Sequence, residues 1–290
     1  MFKATNSRAC WGLGDAREGF SKLHVSINPY EELGCKDGRM KRVANLSFSS
    51  SGGAGEVAAL FTRSELESGM DAVHFHEIAK NLRREPFARP IVTLSAVLDE
   101  KLVKKSDFSE MFSFFRAAVG SGKARHLEGF DVIHVHWSVG YFRVNQILGI
   151  PRNQTLVLTL HDLFFLTGGC HYTLGCSSFS TGCKSCPNVR SIPGLRRLIK
   201  SRRDQKVELL KRADLITVPT FWLKDQIQNL NLSPDILNKI HVLRNPNPFA
   251  YSERIFDKSQ SMPSTVFLIV ATDLQNPNKN VGKICEALLR

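Results

Sequence analysis

Two stretches of sequence decide the fold: Asp131-Val-Ile-His-Val-His-Trp137 and Thr155-Leu-Val-Leu-Thr-Leu-His-Asp162. Each is a short run of mostly aliphatic residues that ends in histidine. Runs of this length are typical of strands buried on both faces of a parallel sheet. The polar residues that follow therefore mark the carboxyl ends of two strands.

Similar apolar runs recur along the chain and alternate with segments of helical length. The predicted strands are 42–48, 71–75, 91–96, 132–136, 155–161, 215–219 and 240–243. The predicted helices are 54–68, 108–119, 195–212 and 222–229. This alternation predicts an α/β fold, with a parallel sheet and helices on both of its faces. Ligands of such folds bind beyond the carboxyl ends of the strands.

Composition divides the 290 residues into four segments. Residues 1–39 show no apolar periodicity, so we expect a disordered N-terminal extension. Residues 40–248 hold the predicted sheet and form one Rossmann-like domain. Residues 249–263 are polar and are interpreted as a linker. A strand at 265–272 and a helix from about Lys279 then begin a second Rossmann-like domain at 264–290, which we expect to be incomplete because a domain needs about 50 residues.

The chain is basic, with 39 Lys and Arg against 27 Asp and Glu, a formal charge of +12. Ten of the basic residues fall within 184–212, mostly on the predicted helix 195–212. They form either a solvated helix face or a surface for anionic lipid or phosphate. No secretory signal and no apolar run of about 18 residues is present. We therefore expect a cytoplasmic protein, peripheral at the inner face of the cell membrane.

A glycine-rich segment, Ser49-Ser-Ser-Gly-Gly-Ala-Gly55, lies between the first predicted strand and helix. Gly52, Gly53 and Gly55 allow close approach of the backbone, and the N–H groups at a helix start attract anions. The segment is not the dinucleotide-binding fingerprint G-x-G-x-x-G. A phosphate-binding loop and a tight turn are both consistent with it.

Three histidines and an aspartate are expected at the same edge of the sheet: His134, His136, His161 and Asp162. A single histidine at a strand end is usually packed or solvated. Two neighbouring strands that both end in histidine favour a binding or catalytic site, because this edge is where α/β sites form.

Four of the seven cysteines cluster in one Gly- and Ser-rich segment, as Cys170-x5-Cys176-x6-Cys183-x2-Cys186. Four thiolates on a short loop can close a tetrahedral zinc site. The spacing is not that of a common zinc finger. Structural zinc, buried reduced thiols and disulfides are therefore all left open.

The chain resembles the glycosyltransferase family 4 enzymes of the GT-B fold, in the group that synthesises bacterial polysaccharides and has a similar cysteine-bearing loop. The resemblance runs from about Met40 to the end. It rests on these motifs: His134-Val-His-Trp137, Thr159-Leu-His-Asp162, Thr167-Gly-Gly-Cys-His-Tyr172, Gly182-Cys-x-x-Cys-Pro187 and Asn245-Pro246.

The resemblance implies transfer of a sugar, a hexose with retention of configuration, from a nucleotide-sugar donor to a glycan or lipid-linked acceptor. The acceptor would bind the first domain and the donor the second. The glycine segment, Gly52 to Gly55, would face the donor phosphates and the acceptor. His161 would lie near the donor sugar as the catalytic residue, and Lys279 would neutralise the leaving diphosphate. No cofactor is needed for catalysis, so any zinc would be structural.

This sequence also departs from the family pattern. The E-x7-E motif of the donor domain is absent, and Thr272 and Asp273 stand where an arginine often precedes the family's lysine. We therefore expect little activity from this 290-residue chain. Two other interpretations remain open: a basic, zinc-stabilised nucleic-acid-binding module, and a non-catalytic remnant or partner subunit. The cysteine loop lacks an adjacent recognition helix, so no nucleic acid is expected.

Overall fold

The computed structural model describes residues 40–76, 88–103, 112–120, 122–173, 175–246, 269, 274 and 280–289. Several predictions fall outside these ranges. They are the N-terminal extension at 1–39, the linker at 249–263, most of the strand expected at 265–272, and Lys279.

Six parallel strands form one sheet in the order β2-β1-β3-β4-β5-β6. The strands are β1 Arg42–Ser47, β2 Asp71–His76, β3 Val132–Val135, β4 Thr155–Thr159, β5 Leu215–Val218 and β6 Ile240–Val242. The helices are α1 Gly53–Glu67, α2 Ala88–Leu102, α3 Val144–Leu148, α4 Leu195–Arg212, α5 Phe221–Gln228, α6 Pro234–Leu237 and α7 Val281–Leu288. This helix-flanked parallel sheet confirms the predicted Rossmann-like α/β fold.

The chain reverses its direction across the sheet between β1 and β3. From β1 it runs outward to β2, and it then returns to β3 on the other side of β1 before continuing to β6. In open α/β sheets the loops at such a switch point splay apart and leave room for a ligand. The segments that follow β1 and β3 occupy this position.

The two faces of the sheet differ in polarity. On one face, aliphatic side chains such as Leu46 and Ile133 join the main hydrophobic core, which includes Leu209 and Leu210 of α4. The other face carries a row of fully buried polar side chains, comprising Asn45, His134, Thr159 and Thr217. Helix α1 packs on β1 and β2 and contacts this polar face through Thr62 and Glu65, which bond Asn45.

The prediction of a strand at 91–96 was wrong, because these residues lie inside α2. The β-branched residues Ile91, Val92 and Thr93 favoured a strand by composition. Ile91, Leu94 and Leu98 nevertheless follow the i, i+3, i+7 spacing of a helix face, and that face is exposed. The helical spacing of the apolar residues, rather than their strand propensity, therefore indicates the correct secondary structure of this segment.

The predicted helix at 108–119 is also wrong where the structure describes it, since from Phe112 onward only a short 3-10 turn at Arg116–Ala118 is present. The buried carboxylate of Asp99, on α2, accepts N–H bonds from Phe114, Phe115 and Arg116 at 2.6 to 3.1 Å. These bonds satisfy the donors that a longer helix would use within its own backbone.

Candidate functional site

The glycine segment forms the turn that starts α1. Gly52 has φ of 77°, a left-handed conformation that favours glycine. A Cβ on Gly55 would lie 2.2 Å from the carbonyl oxygen of Ser49, whereas Gly53 faces open space. The turn itself therefore requires Gly52 and Gly55. None of the described side chains caps the start of α1, so its first N–H groups can serve an anion.

Backbone hydrogen bonds hold the segment after β1 against the segment after β3. The Phe48 N–H donates to the Trp137 carbonyl at 2.6 Å, and the His136 N–H donates to the Leu46 carbonyl at 2.9 Å. The Phe48 and Trp137 rings also meet edge to face, with centroids 6.1 Å apart. The glycine turn and the histidine-bearing edge are thus one connected unit at the switch point.

His136 and His161 come together at the ends of β3 and β4, as the sequence predicts. His136 Nδ1 lies 3.1 Å from His161 Nε2, and the two rings stack with centroids 5.4 Å apart. Phe61 of α1 packs against the His136 ring. His136 is fully buried, while His161 keeps some exposure. Among the described residues, none forms a hydrogen bond with the Nε2 atom of His136.

His134 lies one residue inside β3 and is fully buried on the polar face of the sheet. Its Nε2 atom is 2.7 Å from the Thr159 hydroxyl, which is in turn 2.7 Å from the Thr217 hydroxyl. The His134 ring also touches His136, with centroids 4.0 Å apart. His134 therefore supports the edge from within the sheet and adjoins the His136–His161 pair.

Burial keeps these imidazoles neutral at physiological pH. It lowers the pKa of His134 to about 3 and that of His161 to about 4. It also holds the pKa of His136 well below its usual value, with the neighbouring His134 and His161 as further causes. Neutral imidazoles can donate and accept hydrogen bonds and can take up a proton.

Asp162 is fixed in place by two neighbours. Its carboxylate accepts the Phe164 N–H at 2.8 Å and lies 2.7 Å from His171 Nδ1. The far side of the His171 ring, Nε2, is 2.9 Å from the Ser113 hydroxyl. His171 follows Cys170 directly, so this chain of contacts joins the histidine edge to the cysteine loop.

Two histidines on β2, His74 and His76, were not predicted as site residues; they lie on the same face as Asn45 and Ser47. His74 Nε2 is 2.7 Å from the Ser47 hydroxyl, and burial lowers the pKa of His74 to about 4. The alternation His74-Phe-His76 at a strand end was the available signal.

Glu65 on α1 was also missed. It is buried and accepts a hydrogen bond from Asn45 Nδ2 at 2.5 Å. Burial raises its pKa to about 7, and its second oxygen has no hydrogen-bond partner in the part of the chain that the structure describes. A lone glutamate in an amphipathic segment gives no sequence signal for burial.

The four clustered cysteines line one small cavity within the segment that connects β4 to α4, together with Thr167, Thr173, Ser178 and Phe179. All four are free thiols, so the structure contains no disulfide among them. Burial raises the pKa of Cys183. The pKa of Cys170 lies well above its usual value, because its thiol bonds Cys186 and is buried.

The basic helix α4 divides into buried and exposed parts. Lys206 is buried and donates to the carbonyl oxygens of Phe164 and Thr167, while Arg212 is buried and donates to three carbonyls in residues 150–154. Near the start of α4, Arg196 and Arg197 are exposed beside Leu198. Only part of the basic charge therefore faces solvent. None of the helices within the described ranges has the length and hydropathy needed to cross a bilayer.

Comparison with known proteins gives one partial match. Over 110 residues the chain is 30% identical to WcaC of Escherichia coli (strain K12), which carries the name of a colanic acid biosynthesis glycosyl transferase. The match covers 35% of this chain and 27% of that protein, so the chain spans well under a third of the relative's length. No protein family model matches the chain.

Proposed function

We propose that the protein is a glycosyltransferase of the GT-B type that transfers a sugar from a nucleotide-sugar donor to a glycan or lipid-linked acceptor in polysaccharide synthesis. The observation that carries this proposal is the His136–His161 pair, 3.1 Å apart at the carboxyl edge of the sheet. The partial likeness to a protein named as a glycosyl transferase supports the same reaction class.

The neutral state of His161 suits such a reaction. As the bond between the sugar and the leaving phosphate breaks, positive charge develops on the sugar ring and negative charge on the diphosphate. An imidazolium beside the ring would oppose that positive charge. A neutral His161, with its pKa lowered to about 4, can instead bond a sugar hydroxyl and orient the ring, while His136 fixes its position.

The diphosphate would be stabilised without a metal ion. The uncapped start of α1 lies beside the same edge, and N–H groups there can bond phosphate oxygens. Lys279 would add a positive charge from the second domain. In the overall reaction, the acceptor oxygen bonds to the anomeric carbon, the phosphate oxygen departs, and the acceptor proton is lost to the diphosphate or to solvent.

A lipid-linked acceptor would place the protein at the cytoplasmic face of the membrane. The exposed basic and apolar residues near the start of α4 fit that location, since anionic lipid attracts arginine and the acyl region accepts Leu198. The protein would then be peripheral rather than membrane-spanning.

The proposal is tested by release of nucleoside diphosphate. The protein, expressed from its complete natural reading frame, is incubated with uridine- and guanosine-diphosphate sugars and with polyprenyl-diphosphate-linked saccharides, in the presence of EDTA. We expect acceptor-dependent release of one nucleoside diphosphate and a matching increase in acceptor mass. Absence of release across the panel, with and without divalent metal, would contradict the proposal.

A further inference from the structure

The segment that connects β4 to α4 is long and has little regular secondary structure. It contains 35 residues, from Leu160 to Gly194, and its one regular element in the described part is the 3-10 turn Phe164–Leu166. Segments of this length without their own secondary structure are uncommon in compact domains. Four of its side chains, all cysteines, surround one cavity: Cys170, Cys176, Cys183 and Cys186.

The size of this cavity suits a single small ion. Its volume is about 10 Å³, which is close to the space that one water molecule requires. Four of the eight lining residues are cysteines, and the others are Phe179 and the hydroxyl-bearing Thr167, Thr173 and Ser178. A cavity lined by four thiols offers little hydrogen bonding to water, but it offers the ligands that soft metal ions prefer.

The backbone at Cys183 has an unusual conformation, and its sulfur atom accepts a backbone hydrogen bond. Gly182 and Cys183 both have positive φ, of 87° and 57°. Cysteine rarely adopts this left-handed conformation, which costs free energy and persists only where the surroundings impose it. The Gly168 N–H donates to Cys183 Sγ at 3.4 Å.

Two cationic side chains flank the cavity. Lys206 is buried, and its Nζ donates to the carbonyl oxygens of Phe164 and Thr167 at 2.9 and 3.1 Å, with Asp162 as a nearby negative charge. The Arg203 guanidinium lies about 3.7 Å from the position of a Cβ on Gly182. A buried cation needs a negative partner to offset its desolvation. A divalent ion with four thiolates has a net charge of −2, which Lys206 and Arg203 would offset in part, since Arg203 also lies 3.7 Å from Asp204.

We propose that Cys170, Cys176, Cys183 and Cys186 bind one zinc ion, which fixes the segment between β4 and α4. Zinc accepts four thiolates in a tetrahedral arrangement, and full occupation by protein ligands makes the site structural. No group of three or more His, Cys, Asp or Glu in the described ranges already stands in metal-ligand geometry. Zinc binding would therefore require the four thiols to turn toward the ion.

Elemental analysis tests this site without reference to any enzymatic activity. The protein is purified under reducing conditions with no added metal, and its metal content is compared with that of two variants, Cys183→Ser and Cys285→Ser. We expect about one zinc per chain in the parent protein, loss of at least four fifths of it in Cys183→Ser, and full retention in Cys285→Ser, since Cys285 is exposed on α7.

Two measurements on the parent protein decide the question if Cys183→Ser does not fold. Cobalt exchanged into the site should produce the strong near-ultraviolet absorption of cobalt–thiolate bonds, and chelation should lower the melting temperature by several degrees. Zinc below 0.1 per chain, together with alkylation of all four clustered cysteines, would overturn the proposal. A mass deficit of 4 Da, corresponding to two disulfides, would overturn it as well.

Discussion

His136 Nδ1 and His161 Nε2 lie 3.1 Å apart and join the ends of two neighbouring strands, β3 and β4. The His136 ring is fully buried, and the His161 ring is partly exposed. At this distance one imidazole must donate a proton and the other must accept it, so at least one of the two is neutral. The buried ring therefore fixes the orientation of the exposed ring, as expected of a residue that must meet a substrate in one defined pose.

Stability should fall as the pH drops from about 6.5 to 4. The folded pKa values of His134, His136 and His161 lie below their ordinary value of 6.5, so the unfolded chain binds more protons in this window and acid favours unfolding. Glu65 acts in the opposite direction, because its raised pKa of about 7 removes stability as the pH rises from 4.5. Asp99, whose pKa burial also raises, acts in the same direction as Glu65, whereas His74 and His76, whose pKa values burial lowers, add to the effect of the other three histidines. The five histidines outweigh the two carboxyl groups.

Urea denaturation at pH 5.0, 6.0 and 7.5 measures this dependence. His134→Gln can keep a hydrogen bond to Thr159 but cannot titrate, so the pH slope should decrease by about one proton. His126→Gln, at an exposed position, serves as the control and should leave the slope unchanged. A parent protein that is equally stable at pH 5.0 and 7.5 would show that the histidines are not buried as described.

Gly55→Ala should destabilise the protein by about 3 kcal/mol, because the new Cβ would lie 2.2 Å from a backbone oxygen that cannot easily move. Gly53→Ala is the matched control, two residues away on the same helix start, with nothing within 4 Å of its Cβ position. It should change stability by less than about 1 kcal/mol. Chemical denaturation of both variants checks this, and equal effects would refute the described turn.

Binding to anionic vesicles should depend on the start of α4. Arg196 and Arg197 are exposed beside Leu198, and each basic side chain near an anionic membrane contributes about 1 kcal/mol. Changing both arginines to glutamine should therefore weaken partitioning to phosphatidylglycerol vesicles roughly 30-fold. Lys211→Gln, at the other end of α4, where Lys211 bonds Glu208, is the control.

Vesicle co-sedimentation at low and high salt measures this binding, and salt should weaken it because screening shortens the range of the attraction. Equal affinity for neutral and anionic vesicles would argue against the proposed surface, as would an unchanged affinity in the double variant.

Much of the fold could be predicted because buried parallel strands have a strong local pattern. Strands β1, β3 and β4 were located within one or two residues, and α4 was located at its observed bounds. Segment 91–96 was misread because β-branched residues occur there on the exposed face of a helix. The turn after Phe112 was missed because it depends on a distant carboxylate, Asp99, which no local pattern reveals.

In the candidate site, too, some features could be predicted from the sequence and others could not. The pairing of His136 with His161 followed from the rule that neighbouring parallel strands end at one edge. The burial of Lys206 did not, because a lysine inside a helix looks like a surface residue in the sequence, and His134 was expected at the edge rather than inside the sheet. Their positions depend on Thr159 and on the carbonyls of Phe164 and Thr167, contacts that exist only after folding.

If the His136–His161 edge is the reaction site of a sugar transferase, turnover must depend on the His161 side chain. The most direct test is the turnover number for nucleoside diphosphate release, measured with the protein from its complete natural reading frame, its His161→Ala variant and a His126→Ala control. We expect His161→Ala to lower kcat at least about 100-fold while the unfolding midpoint stays close to that of the control. Turnover by His161→Ala within twofold of the parent value would contradict the account.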